Sequence, residues 1–181
     1  MRIRLIVAAV VLAVSSVAPA SAAGCNLGVA KAWAPLKGQS YRTEAYSNGA
    51  TCAGAVVTVV VRAANGHVLW AEALTAEHLM TFADAKTVSK MNAALGETLA
   101  QSQTFKSTGD LPEWKKGAEA PSPLGEFPFY PDQGVDQETY AKIRAEKQAV
   151  FCYVQGMESM ACVAIAWDGT ATKVGVQTFP G

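Results

Sequence analysis

Residues 55–74, AVVTVVVRAANGHVLWAEAL, decide the fold class. Residues 55–63 are rich in β-branched side chains, which suit a pleated, half-buried surface. Asn65-Gly66 is a dipeptide that favours a type I′ turn, and 67–74 (HVLWAEAL) supply a return strand. The pattern predicts a β-hairpin. Apolar residues occupy both alternating faces of 55–63, so this strand needs cover on both sides.

The C-terminal third reads the same way. Residues 149–156 (AVFCYVQG) and 160–167 (MACVAIAW) form two strands around a short turn. Asp168-Gly169 then turns the chain into 172–179 (TKVGVQTF), completing a three-stranded meander. Val150, Cys152 and Val154 face one way; Phe151 and Tyr153 face the other. Both faces are apolar, so the sheet is central, or one face meets an arm, a ligand or a second subunit, which makes a homodimer through the sheet a possible assembly.

Between these blocks the period changes. Thr75 opens a short helical start through His78, Leu79 and Phe82. A longer helix carries Val88, Met91, Leu95 and Leu99 at spacings that place one apolar stripe on one face, weakened by Gly96. Residues 109–134 (GDLPEWKKGAEAPSPLGEFPFYPDQG) hold Pro112, Pro121, Pro123, Pro128 and Pro131, which exclude a helix or a central strand. Asp136 then caps a helix through about Lys147, with Tyr140 and Ile143 on its buried face. Upstream, residues 24–38 read as a small-residue arm anchored by Trp33, and 40–47 alternate weakly as a strand before Asn48-Gly49.

The order hairpin, helices, long Pro-rich loop, helix, meander predicts an α+β fold. It has one central antiparallel sheet of about five strands, with the helices inserted between strands two and three. That element order resembles PAS-type and profilin-like sensor domains. The resemblance implies an N-terminal hairpin beside the C-terminal strand, with the helical segment and the loop covering a face that lines a ligand cavity.

Residues 1–23, MRIRLIVAAVVLAVSSVAPASAA, carry a basic start at Arg2 and Arg4, an apolar core over 5–14, and small residues Ala20-Ser21-Ala22 before a cleavage site. A signal peptide over 1–22 is expected, leaving one exported domain over 23–181 in the periplasm or outside the cell. No stretch reaches the length of a membrane span. The signal removes two arginines and no acids, so 13 basic and 15 acidic side chains remain of the original 15 and 15. Without a basic stripe, nucleic acid and anionic membrane surfaces are not expected partners. Ala22-Ala23-Gly24-Cys25 loosely matches a lipobox, but Ala22 stands where leucine is usual, so a lipoprotein is the lesser expectation.

All four cysteines lie in the exported part, which favours two bridges. With a hairpin centred on Met157, Cys152 and Cys162 stand directly opposite, within bridging distance. Cys25–Cys52 follows by elimination.

Chemistry is sparse. The two histidines, His67 and His78, sit at a turn and in a helical start. No GxSxG, HExxH, Walker loop, CxxC or CxxCH string occurs. The aromatic, Pro-rich segment offers Trp114, Phe127, Phe129 and Tyr130 as a contact surface or pocket lid, and Met157 is an exposed turn methionine suited to a partner contact. The expected function is a periplasmic binding or interaction domain without a catalytic site and without a cofactor. Its partner would be an envelope protein or a small apolar ligand. Two alternatives are an envelope enzyme using carboxylates such as Glu126 and Asp132, and a Cu(I) or redox handler built on Met157, Met160 and the flanking cysteines.

Overall fold

The computed structural model describes residues 24–101, 105–122 and 127–179; the expected signal peptide and its cleavage site lie outside the described residues. Two antiparallel sheets of four strands each form the architecture, not one central sheet of about five. The first holds β1 (Leu27–Trp33), β2 (Tyr41–Asn48), β3 (Val56–Ala63) and β4 (Val68–Thr75), in that spatial order. Two 3-10 turns, Ala76–His78 and Met80–Phe82, lead into α1 (Val88–Gln101). After a third 3-10 turn at Thr108–Asp110 come β5 (Phe129–Pro131), α2 (Gln137–Ala145), β6 (Ala149–Val154), β7 (Ser159–Ile165) and β8 (Ala171–Thr178). The second sheet has the order β5-β8-β7-β6.

Local reasons explain the departure from one sheet. The segment read as an arm is strand β1, which pairs along its whole length with β2, from Leu27↔Ser47 to Trp33↔Tyr41. β2 pairs in turn with β3. The N-terminal hairpin therefore completes its hydrogen bonding within its own sheet and does not join the C-terminal strand, as the PAS-type and profilin-like order implied. The meander instead recruits β5 from the Pro-rich segment. Proline permits this because β5 is a three-residue edge strand. Phe129 exchanges backbone hydrogen bonds with Ser122 on its outer side, and Pro131 then ends the edge.

The all-apolar strands β6 and β7 are covered on both faces, as their composition requires. On one side Phe151, Tyr153, Ala161, Val163 and Ile165 share a core with Val57, Val59 and Val61 of β3 and with Met91, Leu95 and Leu99 of α1. On the other, Val150, Cys152, Met160, Cys162 and Ala164 pack with Leu111, Phe129, Tyr140 and Ile143. Each fully buried Val, Leu, Ile, Phe or Met among them contributes about 1.5–3 kcal/mol. The predicted α1 stripe holds at Met91, Leu95 and Leu99, whereas Val88 is exposed at the helix start.

Both favoured disulfides form, Cys152–Cys162 as the hairpin register implied and Cys25–Cys52 as elimination left it. Cys152 and Cys162 are directly paired across β6 and β7, with Cα atoms 4.1 Å apart. Cys25–Cys52, 4.9 Å between Cα atoms, ties the segment before β1 to the loop before β3.

The hairpin turns occur where Asn-Gly and Asp-Gly placed them, but they are not type I′. Ala63 donates to His67 O at 2.9 Å and Ala166 to Thr170 O at 2.8 Å, which leaves three-residue loops. Among the loop residues only Gly66 and Gly169 have positive φ, +88° and +89°. A type I turn followed by a left-handed glycine has this form. Asn65 and Asp168 stay right-handed and accept the N–H two residues on, from His67 and Thr170.

Candidate interaction surface

The Pro-rich segment is not a free lid. Ser107 and Asp110 form a capping box at its start, and the Thr108 hydroxyl donates to Ile143 O at 2.6 Å. From α2, Tyr140 donates to Pro112 O at 2.9 Å and Arg144 Nε to Leu111 O at 2.9 Å. Gln137 Nε2 donates to the carbonyls of Trp114 and Lys115. A run of rings continues through the second core, Trp114 to Tyr140 to Phe129 to Phe105, with centroids 5.8, 6.1 and 6.5 Å apart. α2 is thus the clamp that gives this segment one conformation. A groove of about 320 Å³ remains between Glu113 and Trp114 on the segment and Tyr140, Ala141 and Arg144 on α2.

The five residues read as contact candidates separate into three environments. Phe129 is fully buried and supports the surface from within. Trp114 is partly buried; it lines the groove and donates from Nε1 to Ala118 O. Phe127, Tyr130 and Met157 are exposed, at 47, 42 and 51%.

Backbone hydrogen bonds bring two of the exposed three to one end of the second sheet. Phe179 donates to Glu158 O at 2.8 Å, beside Met157, and its ring lies 5.9 Å from that of Phe127. At the same turn Gly156 O accepts the Met80 N–H, and the Met80 side chain is 46% exposed. Four separate stretches of chain, carrying Phe127, Phe179, Met157 and Met80, therefore come to this end of the sheet, and of their side chains Phe127 and Phe179 are in ring contact. Sequence reasoning did not single out Met80 or Phe179. Met80 lies outside any periodic pattern and Phe179 closes the last predicted strand, and each reaches this end through backbone bonds to the β6–β7 turn.

The other chemical candidates are placed as follows. His78 is exposed, with Glu77 at 3.7 Å, and His67 lies at a turn. Glu126 lies outside the described residues. The Asp132 N–H and C=O hold the chain through Val174 and Val135. Met160 points into the second core while Met157 is exposed in the turn, and Cys152 and Cys162 are bonded to each other, so these four do not converge on one ion. Among the described residues no three His, Cys, Asp or Glu side chains gather at metal-binding range. Burial raises the phenol of Tyr140, and burial with the nearby Glu72 raises that of Tyr153. Both stay protonated donors, Tyr153 to Glu72 and Tyr140 to Pro112 O. Comparison with protein-family models, curated proteins and solved structures found no match to this chain.

Proposed function

We propose that this chain acts outside the cytoplasm, in the periplasm or beyond, as a non-catalytic interaction module that docks an envelope protein on the end formed by Phe127, Phe179, Met157 and Met80. One observation supports the reading: four stretches of chain distant in sequence come to this end, where the Phe127 and Phe179 rings touch and Phe127, Met157 and Met80 are about half-exposed. Phe127 offers a rigid ring, and the thioethers of Met80 and Met157 adapt to a partner's shape at little cost. Tyr130, on the edge strand, extends the surface. Two disulfides fit an oxidising, exported setting, in keeping with the signal-like residues 1–22. No helix among the described residues is long and apolar enough to cross a membrane.

The groove beside Trp114 favours a second reading, a small ligand held between the Pro-rich segment and α2. Site-specific photocrosslinking of the exported protein separates the two. A photoreactive residue at 127 or 157 is expected to capture one envelope protein, and one at Lys90, on α1, is not. Capture should fall with Met80→Ser. Equal capture from all three positions, or none from 127 and 157 while position 114 labels a small molecule, would overturn the docking assignment.

A further inference from the structure

The outer face of the first sheet carries a charged arrangement that the docking surface does not use. Arg42 on β2 and Arg62 on β3 are direct cross-strand partners. Like charges placed so are destabilising unless something offsets them. The offset is Glu44, two residues along on the same face. Its carboxylate takes Arg42 Nε on one oxygen at 3.0 Å and Arg62 Nε on the other at 2.9 Å. Tyr46 donates to the second oxygen at 2.7 Å. The Glu44 side chain is only 4% exposed. Val60, its cross-strand partner on β3, is buried as well. Burial alone would raise the Glu44 carboxyl. The hydrogen bonds from Arg62 and Tyr46 and the charge of both arginines outweigh it, and the net displacement is downward.

Two guanidiniums against one carboxylate leave one positive charge. Arg42 reaches Glu44 through Nε, and Arg62 adds one bond from Nη1 to Gly66 O at 3.2 Å. Both arginines border an open hollow of about 540 Å³ that Ser40, Tyr41, Ala63 and Ala64 help line, together with Glu44 itself. An adjoining hollow of about 310 Å³ shares Arg42 and adds Lys31. The Glu44 carboxylate holds both Nε donors before anything arrives. Pre-oriented guanidiniums suit the planar, two-oxygen geometry of an oxyanion.

We propose that Arg42 and Arg62, oriented by Glu44, form a receptor for an oxyanion group, a carboxylate or a phosphate, on the outer face of the first sheet. The site is separate from the docking end, so either assignment can fail alone.

The test follows the Nε–Hε resonances of Arg42 and Arg62 in ¹⁵N-labelled mature protein while inorganic phosphate or succinate is added at constant ionic strength. A saturable shift of both resonances is expected, with Arg42→Gln binding roughly tenfold more weakly. Saturation by phosphate alone identifies a phosphate-type ligand and by succinate alone a carboxylate; either supports the site. Arg62→Gln exposes Glu44 to loss of a buried partner. The more exposed Arg42→Gln therefore carries the test, with its unfolding temperature measured alongside. Absence of saturation with both anions, or saturation that Arg42→Gln leaves unchanged in a folded protein, overturns the proposal.

Discussion

Gly175 on β8 shows what one absent side chain does. A Cβ built there would stand 2.3 Å from Tyr130 O and 2.6 Å from the Phe129 ring. The close approach lets Phe129 cross β8 and reach the second core. Gly175→Ala must move backbone on β5, so it is expected to cost about 1–3 kcal/mol, read as a lowered urea midpoint. Gly28 on β1 has the same relation to the Tyr46 ring, at 2.7 Å. There the obstacle is a 39%-exposed ring, tethered by its hydroxyl to Glu44, and not backbone, so Gly28→Ala is the milder change. At this scale the sequence was informative about position and poor about geometry. Asn65-Gly66 and Asp168-Gly169 marked both turns correctly. The turn type depended on whether Asn65 and Asp168 took left-handed φ or bonded the N–H two residues on, and they did the latter. Glycine 175 sits in an ordinary strand pattern, and nothing local reveals the ring that crosses it.

Among the elements, α2 was legible almost completely, from the Asp136 cap to buried Tyr140 and Ile143. Asp136 accepts the Thr139 N–H at 2.8 Å, and this bond holds its carboxyl below the usual aspartate value. A depressed folded value means the stabilisation is fully present above the unfolded aspartate value, about 3.9, and is lost as pH falls through the folded one. Asp136→Ala is therefore expected to lower the denaturation midpoint at pH 7 and to match wild type more closely at strongly acid pH. Because α2 clamps Pro112 and Trp114, the variant should also loosen that segment, seen as faster amide exchange over residues 111–118. A midpoint difference unchanged by pH would remove the cap from this account. The strands were legible in the same way, by period and turn chemistry. β1 was not: LGVAKAW has little β-branched content, and only its pairing with β2 makes it a strand. β5 was hidden by its prolines, which forbid a central strand yet allow a short edge.

In the whole molecule the two sheets share one of the two cores, and Trp33 joins them. Its ring lies 5.2 Å from Tyr41 on the neighbouring strand and 5.7 Å from Phe151 on β6. Trp33→Ala is expected to cost about 3–5 kcal/mol while leaving one cooperative urea transition, because the cavity opens between layers that unfold together. Two separated transitions would show that the sheets do not depend on each other. The sequence by itself determined where the hairpins lie, most of the helix stripes, and the need of β6 and β7 for cover on both faces, and it favoured the pairing of Cys152 with Cys162. Those properties follow from nearest neighbours and from period, which a linear string contains. Tertiary structure alone decided that the strands divide into two sheets, that Phe127, Phe179, Met157 and Met80 meet at one end, and that Arg42 and Arg62 share a buried carboxylate. Strand partnership and surface convergence depend on which hydrogen-bonding edge is nearest once the apolar faces are buried. That choice is settled by competition among distant segments, and no single segment encodes it.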